Sequence, residues 1–162
     1  MFKRAQRPPA FVRAAVAERP LAWAALDGDR WLVLARSELA LLTGEALTWR
    51  RPWHEVERGE WDGERHALTV HWVGVPEPDV LVTVEERPRD LPLTFRERVE
   101  ASVVHSESER AVGGGRLRAV VRRTPEGELL TQVLAVGRVQ PGPALDAQID
   151  ALEAKVRDAV GL

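Results

Sequence analysis

The stretch Trp53-His54-Glu55-Val56-Glu57-Arg58-Gly59-Glu60-Trp61-Asp62-Gly63, followed shortly by Leu68-Thr69-Val70-His71-Trp72, decides the fold. Leu68, Val70 and Trp72 alternate with Thr69 and His71, the period of a strand with one face turned to a core. Val56 and Trp61 are an odd number of positions apart, so an uninterrupted strand would send them to opposite faces. One extra residue between them restores both to one face. Gly59 marks the place, and a β-bulge or break is expected at Arg58-Gly59. Asp62-Gly63, between the two runs, is a hairpin signal.

The same punctuation recurs at Asp27-Gly28, Thr43-Gly44 and Glu126-Gly127. Working outward, strands are expected over residues 21–26, 30–36, 39–42, 46–49 and 80–85. In the second of these Trp31, Val33 and Ala35 alternate with Leu32 and Leu34, so both faces are apolar and the strand should be central. The period changes after Asp90-Leu91-Pro92, where Phe95, Val99 and Val103 fall four apart and predict a helix over 91–105. Gly113-Gly114-Gly115 reads as a loop, and residues 116–123 and 129–136 as a hairpin. A last helix over 143–160 carries Leu145, Ile149, Leu152, Val156 and Val160 on one side. The expected class is α+β: an antiparallel barrel or strongly curled sheet, a helix, a further hairpin 116–136 and a C-terminal helix. Residues 1–19 hold Lys3, Arg4, Arg7, Arg13 and Arg19 against Glu18 and read as a basic arm or one helical turn, with 20–162 as a single domain.

Composition narrows the function classes. The 162 residues are 30% charged and 44% apolar with a net charge of −2, which fits neither a disordered chain nor one that seeks polyanions by bulk charge. There is no cysteine, so disulfides, thiolate metal sites and a cysteine nucleophile are excluded. No apolar run approaches the roughly 20 residues of a membrane-spanning helix. Pro8 and Pro9 interrupt the basic N-terminal stretch where a signal peptide needs its apolar core, and a cytoplasmic location is expected. Lysine occurs only at Lys3 and Lys155 and isoleucine only at Ile149, with asparagine and tyrosine absent, as in a gene rich in G and C. Arginine is therefore a weak signal for phosphate binding here. Tryptophan has a single codon, yet it supplies six of the nine aromatics, which points to core anchors.

Trp53-His54-Glu55-Val56 with Trp61-Asp62, Arg96-Glu97-Arg98-Val99, Ala101-Ser102-Val103-Val104 and Arg122-Arg123-Thr124-Pro125 resemble a group of small, uncharacterised bacterial proteins, from about Leu21 onward. That resemblance implies no catalytic residues. The front half also resembles a pleckstrin-homology or GRAM-like barrel, through Pro52-Trp53-x-x-Val56, the hairpin that follows and the helix near Phe95. It implies a meander plugged by a helix, a scaffold that hosts lipid binding, peptide binding or pure structural roles. The added hairpin and second helix depart from that pattern and leave open which helix does the plugging.

No chemistry-bearing constellation emerges. His54-Glu55-Val56-Glu57-Arg58 starts like a zinc-protease motif but has arginine where the second histidine belongs. His66 and His71 fall on opposite strand faces, His105 with Glu109 is too small a ligand set for a metal, and Ser102 with His105 lacks a nucleophile elbow. Gly113-Gly114-Gly115 lacks the Lys-Ser/Thr of a phosphate loop. No cofactor, metal or catalytic residue is assigned. The remaining candidate is electrostatic: Arg116, Arg118 and Arg122 share one strand face, spaced about 7 Å apart, with Arg50 and Arg51 as a possible extension. The alternative is a solvated face neutralised by nearby acids. An exposed Trp49 or Trp53 beside Arg50-Arg51 would mark a partner surface. The expected function is a non-catalytic binding or scaffold module acting on another protein or on itself; the alternative is a binder of phospholipid headgroups or nucleic-acid phosphates.

Overall fold

The structure, a computed structural model, describes residues 7–86, 88 and 90–162. It is α+β, with three antiparallel sheets, and divides into two compact units, one up to Glu100 and one from Ala101 onward.

In the first unit β1 (Ala22–Leu26), β2 (Arg30–Leu34), β3 (Glu38–Thr43) and β4 (Ala46–Pro52) form a four-stranded sheet in chain order. A second sheet follows from β5 (Val56–Asp62), β6 (Ala67–Trp72) and β7 (Asp79–Val82). Gly28 and Gly44 take the positive φ that their turns demand. The Asp62-Gly63 turn works differently: the Asp62 carboxylate accepts the Glu64 and Arg65 N–H groups, and His66 takes the left-handed conformation. Those two backbone donors hold the Asp62 carboxyl below its usual range.

Both sheets turn one face to a shared core. Leu32, Leu34, Leu39 and Leu41 come from the first, Val56, Leu68, Val70, Trp72 and Leu81 from the second, and Trp53 joins them. The helix α2 (Leu91–Ala101) adds Leu91 and Phe95 to the same core. A bridge between Leu26 and Thr83 ties the sheets at one edge, flanked by Asp27 N–H to Val82 O and Val84 N–H to Ala25 O, both 2.9 Å. Among the described residues no ladder joins β4 to β5. Pro52, lacking an N–H, ends β4, and a 3-10 turn over Trp53–Glu55 redirects the chain. The barrel expected from sequence is thus not closed.

β2 is central and apolar on both faces. Leu32 and Leu34 face the shared core, while Val33 and Ala35 meet Val12, Ala15 and Val16 of the N-terminal segment. That segment holds a short helix, α1 (Ala10–Ala14), which is the helical turn expected within the basic arm. Lys3 and Arg4 lie outside the described residues.

The bulge exists, one residue earlier than expected. Pairing runs from Val56 with Trp72 to Arg58 with His71, so Glu57 is the extra residue. Trp61 accordingly packs on the same core as Val56. Gly59 serves another purpose: a Cβ there would lie 2.2 Å from Cε1 of Phe95, so the strand is bare where α2 lays its aromatic ring.

The second unit is a three-stranded sheet in the order β10 (Leu129–Val136), β9 (Arg116–Arg123), β8 (Val103–Arg110), with α3 (Pro143–Ala159) on one face. Leu117, Ala119 and Val121 of β9 pack against Leu145, Leu152 and Val156 of α3. The hairpin and final helix lie where sequence placed them. The helix expected over 91–105 ends instead at Ala101, and residues 103–110 form β8. From Val103 onward exposure alternates residue by residue, and the adjacent β-branched pair Val103-Val104 favours extended backbone.

Candidate anion-binding face

Strand register fixes which side chains share the face of the second unit's sheet opposite α3. Arg110 stands across from Arg116, Ser108 from Arg118 and Ser106 from Val120, while Val136 and Leu134 flank Arg116 and Arg118 on the other side. The turn that brings Arg110 beside Arg116 is built by Gly113-Gly114-Gly115, all at positive φ and closed by Ala111 N–H to Gly115 O at 3.0 Å. Gly115 has no room for a side chain, because a Cβ would sit 2.7 Å from the Arg138 carbonyl oxygen.

Arg116 is exposed and Arg118 half-buried, but Arg122 is only 1% exposed. Its Nη1 donates to the Ser102 hydroxyl at 3.0 Å. Arg122 therefore leaves the accessible stripe that the sequence pattern gave it, and its guanidinium is a structural group. Exposed Arg110 takes its place. Extending the helix to residue 105 and assigning no element to 106–112 concealed it; the period-two alternation of Ser106, Ser108 and Arg110 with His105, Glu107 and Glu109 was the available signal.

The acids of β8 and α3 are segregated from this face. From Ala101 onward eight Lys or Arg stand against eight Asp or Glu, so the unit has no net charge. Yet Glu107 and Glu109 alternate away from Arg110, toward α3. Glu107 pairs with Lys155 and, at 3.3 Å, with His105, and Glu109 accepts from Gln148 Nε2 at 2.9 Å. The Lys155 ammonium, helped by His105, holds the Glu107 carboxyl below its ordinary range, and Glu107 in turn raises Lys155. Four more acids, Asp146, Asp150, Glu153 and Asp158, sit on α3. Among the described residues Arg110, Arg116 and Arg118 make no ion pair. For Arg116 and Arg118 the described surroundings supply no paired acid.

Arg50 and Arg51 are different. Arg50 pairs with Glu38 at 3.3 Å, and Arg51 lies 3.9 Å from Glu55 with its guanidinium 4.5 Å over the Trp72 ring. Their charge is engaged within the first unit. Neither neighbouring tryptophan is an exposed anchor: Trp53 is buried and donates Nε1–H to Ala35 O at 3.0 Å, and half-buried Trp49 meets Trp72 edge-on.

Among the described residues no three His, Asp or Glu lie close enough to hold a metal ion. Ser102 accepts from Arg122 while His105 faces Glu107, so the two have separate partners. No described helix is long and apolar enough to cross a membrane. Comparison with protein-family models, with curated proteins and with solved structures finds no match to this chain.

Proposed function

We propose that this protein is a non-catalytic binding module whose working surface is the face carrying Arg110, Arg116 and Arg118, and that it receives phosphate groups of an anionic lipid surface. The observation behind the reading is the unmatched charge: three arginines on one sheet face with every acid of β8 turned the other way. Guanidinium forks suit phosphate oxygens, and the exposed Ser106 and Ser108 hydroxyls stand on the same face as further donors. Val136, 51% exposed, lies beside Arg116, and no aromatic stands at the paired positions to stack a base, which favours a bilayer surface over single-stranded nucleic acid. In the first unit, four strands and three strands around one core, with Phe95 inserted from the following helix, support a PH-like scaffold. A cytoplasmic site of action goes with this reading.

Co-sedimentation with vesicles containing phosphatidylserine, against neutral vesicles, is the test. At about 1 kcal/mol per surface arginine, removing two should weaken partitioning roughly 30-fold, and charge reversal by more. Binding should also fall as salt is raised. An Arg116→Glu/Arg118→Glu double variant that partitions like the parent overturns the proposal. Binding to an oligonucleotide but not to vesicles would replace the lipid with nucleic acid.

A further inference from the structure

The free edges of the three sheets are not equivalent. β4 ends in Arg50-Arg51-Pro52 and its pairing with β3 shifts between Leu41 and Leu42. β5 carries the Glu57 bulge with Arg58 and Glu60, and β8 has an irregularity between Val103 and His105 followed by Glu107, Glu109 and Arg110. Charges, prolines and bulges are the devices by which sheet edges are kept from pairing with another chain. β10, Leu129-Leu130-Thr131-Gln132-Val133-Leu134-Ala135-Val136, has none of them: no charge, no proline, no glycine and an unbroken register with β9 over all eight residues. Among the described residues β9 is its sole laddered neighbour.

Which backbone groups face outward follows from the hairpin. Thr124 N–H donates to Glu128 O at 2.8 Å, closing a hydrogen-bonded pair at the turn. Alternation then makes Leu130, Gln132, Leu134 and Val136 the residues bonded to β9. Arg123 N–H to Ser102 O, 2.9 Å, agrees, since the odd-numbered β9 residues point to β8. Leu129, Thr131, Val133 and Ala135 therefore present N–H and C=O along the open edge.

We infer that β10 pairs with β10 of a second copy of this chain, antiparallel about a two-fold axis through Gln132. Only outward-facing residues can form the bonded pairs, so odd must meet odd. The register that uses the most of them sets Leu129 against Ala135 and Thr131 against Val133, each twice, for about eight hydrogen bonds. The contact is isologous and closes as a dimer. Because odd meets odd, the axis is perpendicular to the sheet, and both arginine faces come to the same side of one six-stranded sheet. That gives the dimer two equivalent anion-facing patches, a consequence independent of which anion they meet.

Sedimentation equilibrium from micromolar to millimolar chain should give twice the 18.1 kDa monomer mass. Ala135→Pro, which removes an outward N–H and no bond to β9, and Val136→Glu, which sets a carboxylate directly opposite Glu128 of the second copy, should each return the monomer with unchanged circular dichroism. The second variant stands if the first misfolds. The chain has no cysteine, so Gln132→Cys tests the register alone. Its symmetry mate would lie about 4.5 Å away at Cα in a non-hydrogen-bonded pair, a geometry that allows a disulfide. Mild oxidation should link this variant into covalent dimers much faster than Val136→Cys. A parent protein that stays monomeric throughout, a dimer indifferent to both edge variants, or equal linking of the two cysteine variants overturns the inference.

Discussion

Replacing Gly59 by alanine puts one methyl group where the structure has an aromatic ring. The new Cβ would lie 2.2 Å from Cε1, 2.9 Å from Cδ1 and 3.0 Å from Cζ of Phe95, against an ordinary contact that begins near 3.4 Å. The ring must retreat by more than an ångström. It cannot do so freely, being 2% exposed and set edge-on to Trp53 with centroids 5.4 Å apart. Overpacking of this kind costs about 1–3 kcal/mol, offset by about 0.4–1 kcal/mol from the lower chain entropy of alanine in the unfolded state. The net expectation is a loss of about 1–2 kcal/mol, or a urea midpoint lower by about 1 M for a unit of this size. All six tryptophans lie between Trp23 and Trp72, so their fluorescence follows the first unit without interference from the second. Phe95→Leu in the Gly59→Ala background should recover part of the loss, although Phe95→Leu alone destabilises, giving a coupling energy that additivity does not allow. Gly74→Ala serves as control, since Gly74 has φ +71 and open space around it and should cost about 1 kcal/mol through backbone strain alone. An unchanged midpoint for Gly59→Ala, or simple additivity with Phe95→Leu, would refute the packing of α2 on β5.

Three further outcomes are expected. Arg122→Ala should destabilise by about 2–4 kcal/mol, as expected for emptying a buried polar site, whereas Arg116→Ala should stay within about 0.5 kcal/mol; paired thermal melts by circular dichroism compare them. The Glu107–Lys155 pair should give the second unit a pH window. Glu107, lowered in the folded state, contributes above its unfolded pKa of about 4.3 and loses that as pH falls through its folded value; Lys155, raised, contributes below about 10.4 and loses that as pH rises through its folded value. Glu107→Gln should therefore differ from the parent in melting temperature near neutral pH and converge with it at both extremes. Arg51→Lys should weaken the first unit slightly and change tryptophan emission, because lysine does not reproduce the planar guanidinium over Trp72.

Much of the first unit was legible because its strands carry their own instructions. The both-sided apolar pattern of residues 31–35 announced a central strand, and the odd spacing of Val56 and Trp61 announced a bulge. The bulge was misplaced by one residue because glycine is the usual marker, and here glycine answers to Phe95 from another element, a tertiary demand invisible in local pattern. β8 was missed because its two faces, His105, Glu107 and Glu109 against Ser106, Ser108 and Arg110, are both polar, so alternation carried no hydrophobic signal. The error spread to the site. With the start of β8 taken into the helix and residues 106–110 given no element, Arg110 had no place beside Arg116, and the acids on β8 could not be assigned to the α3 face. Arg122 looked like its neighbours in sequence, and only the folded chain shows that it is enclosed.

The account stands on three guanidinium groups being available to an anion while those of Arg50, Arg51 and Arg122 are engaged. Side-chain NMR of arginine-labelled protein, titrated with the soluble headgroup glycerophosphoserine, reads each Nε–Hε resonance separately. Saturable shifts at Arg110, Arg116 and Arg118, with Arg50, Arg51 and Arg122 still, are the expected result. Shifts confined to Arg50 and Arg51, or none at the three face residues, would contradict it.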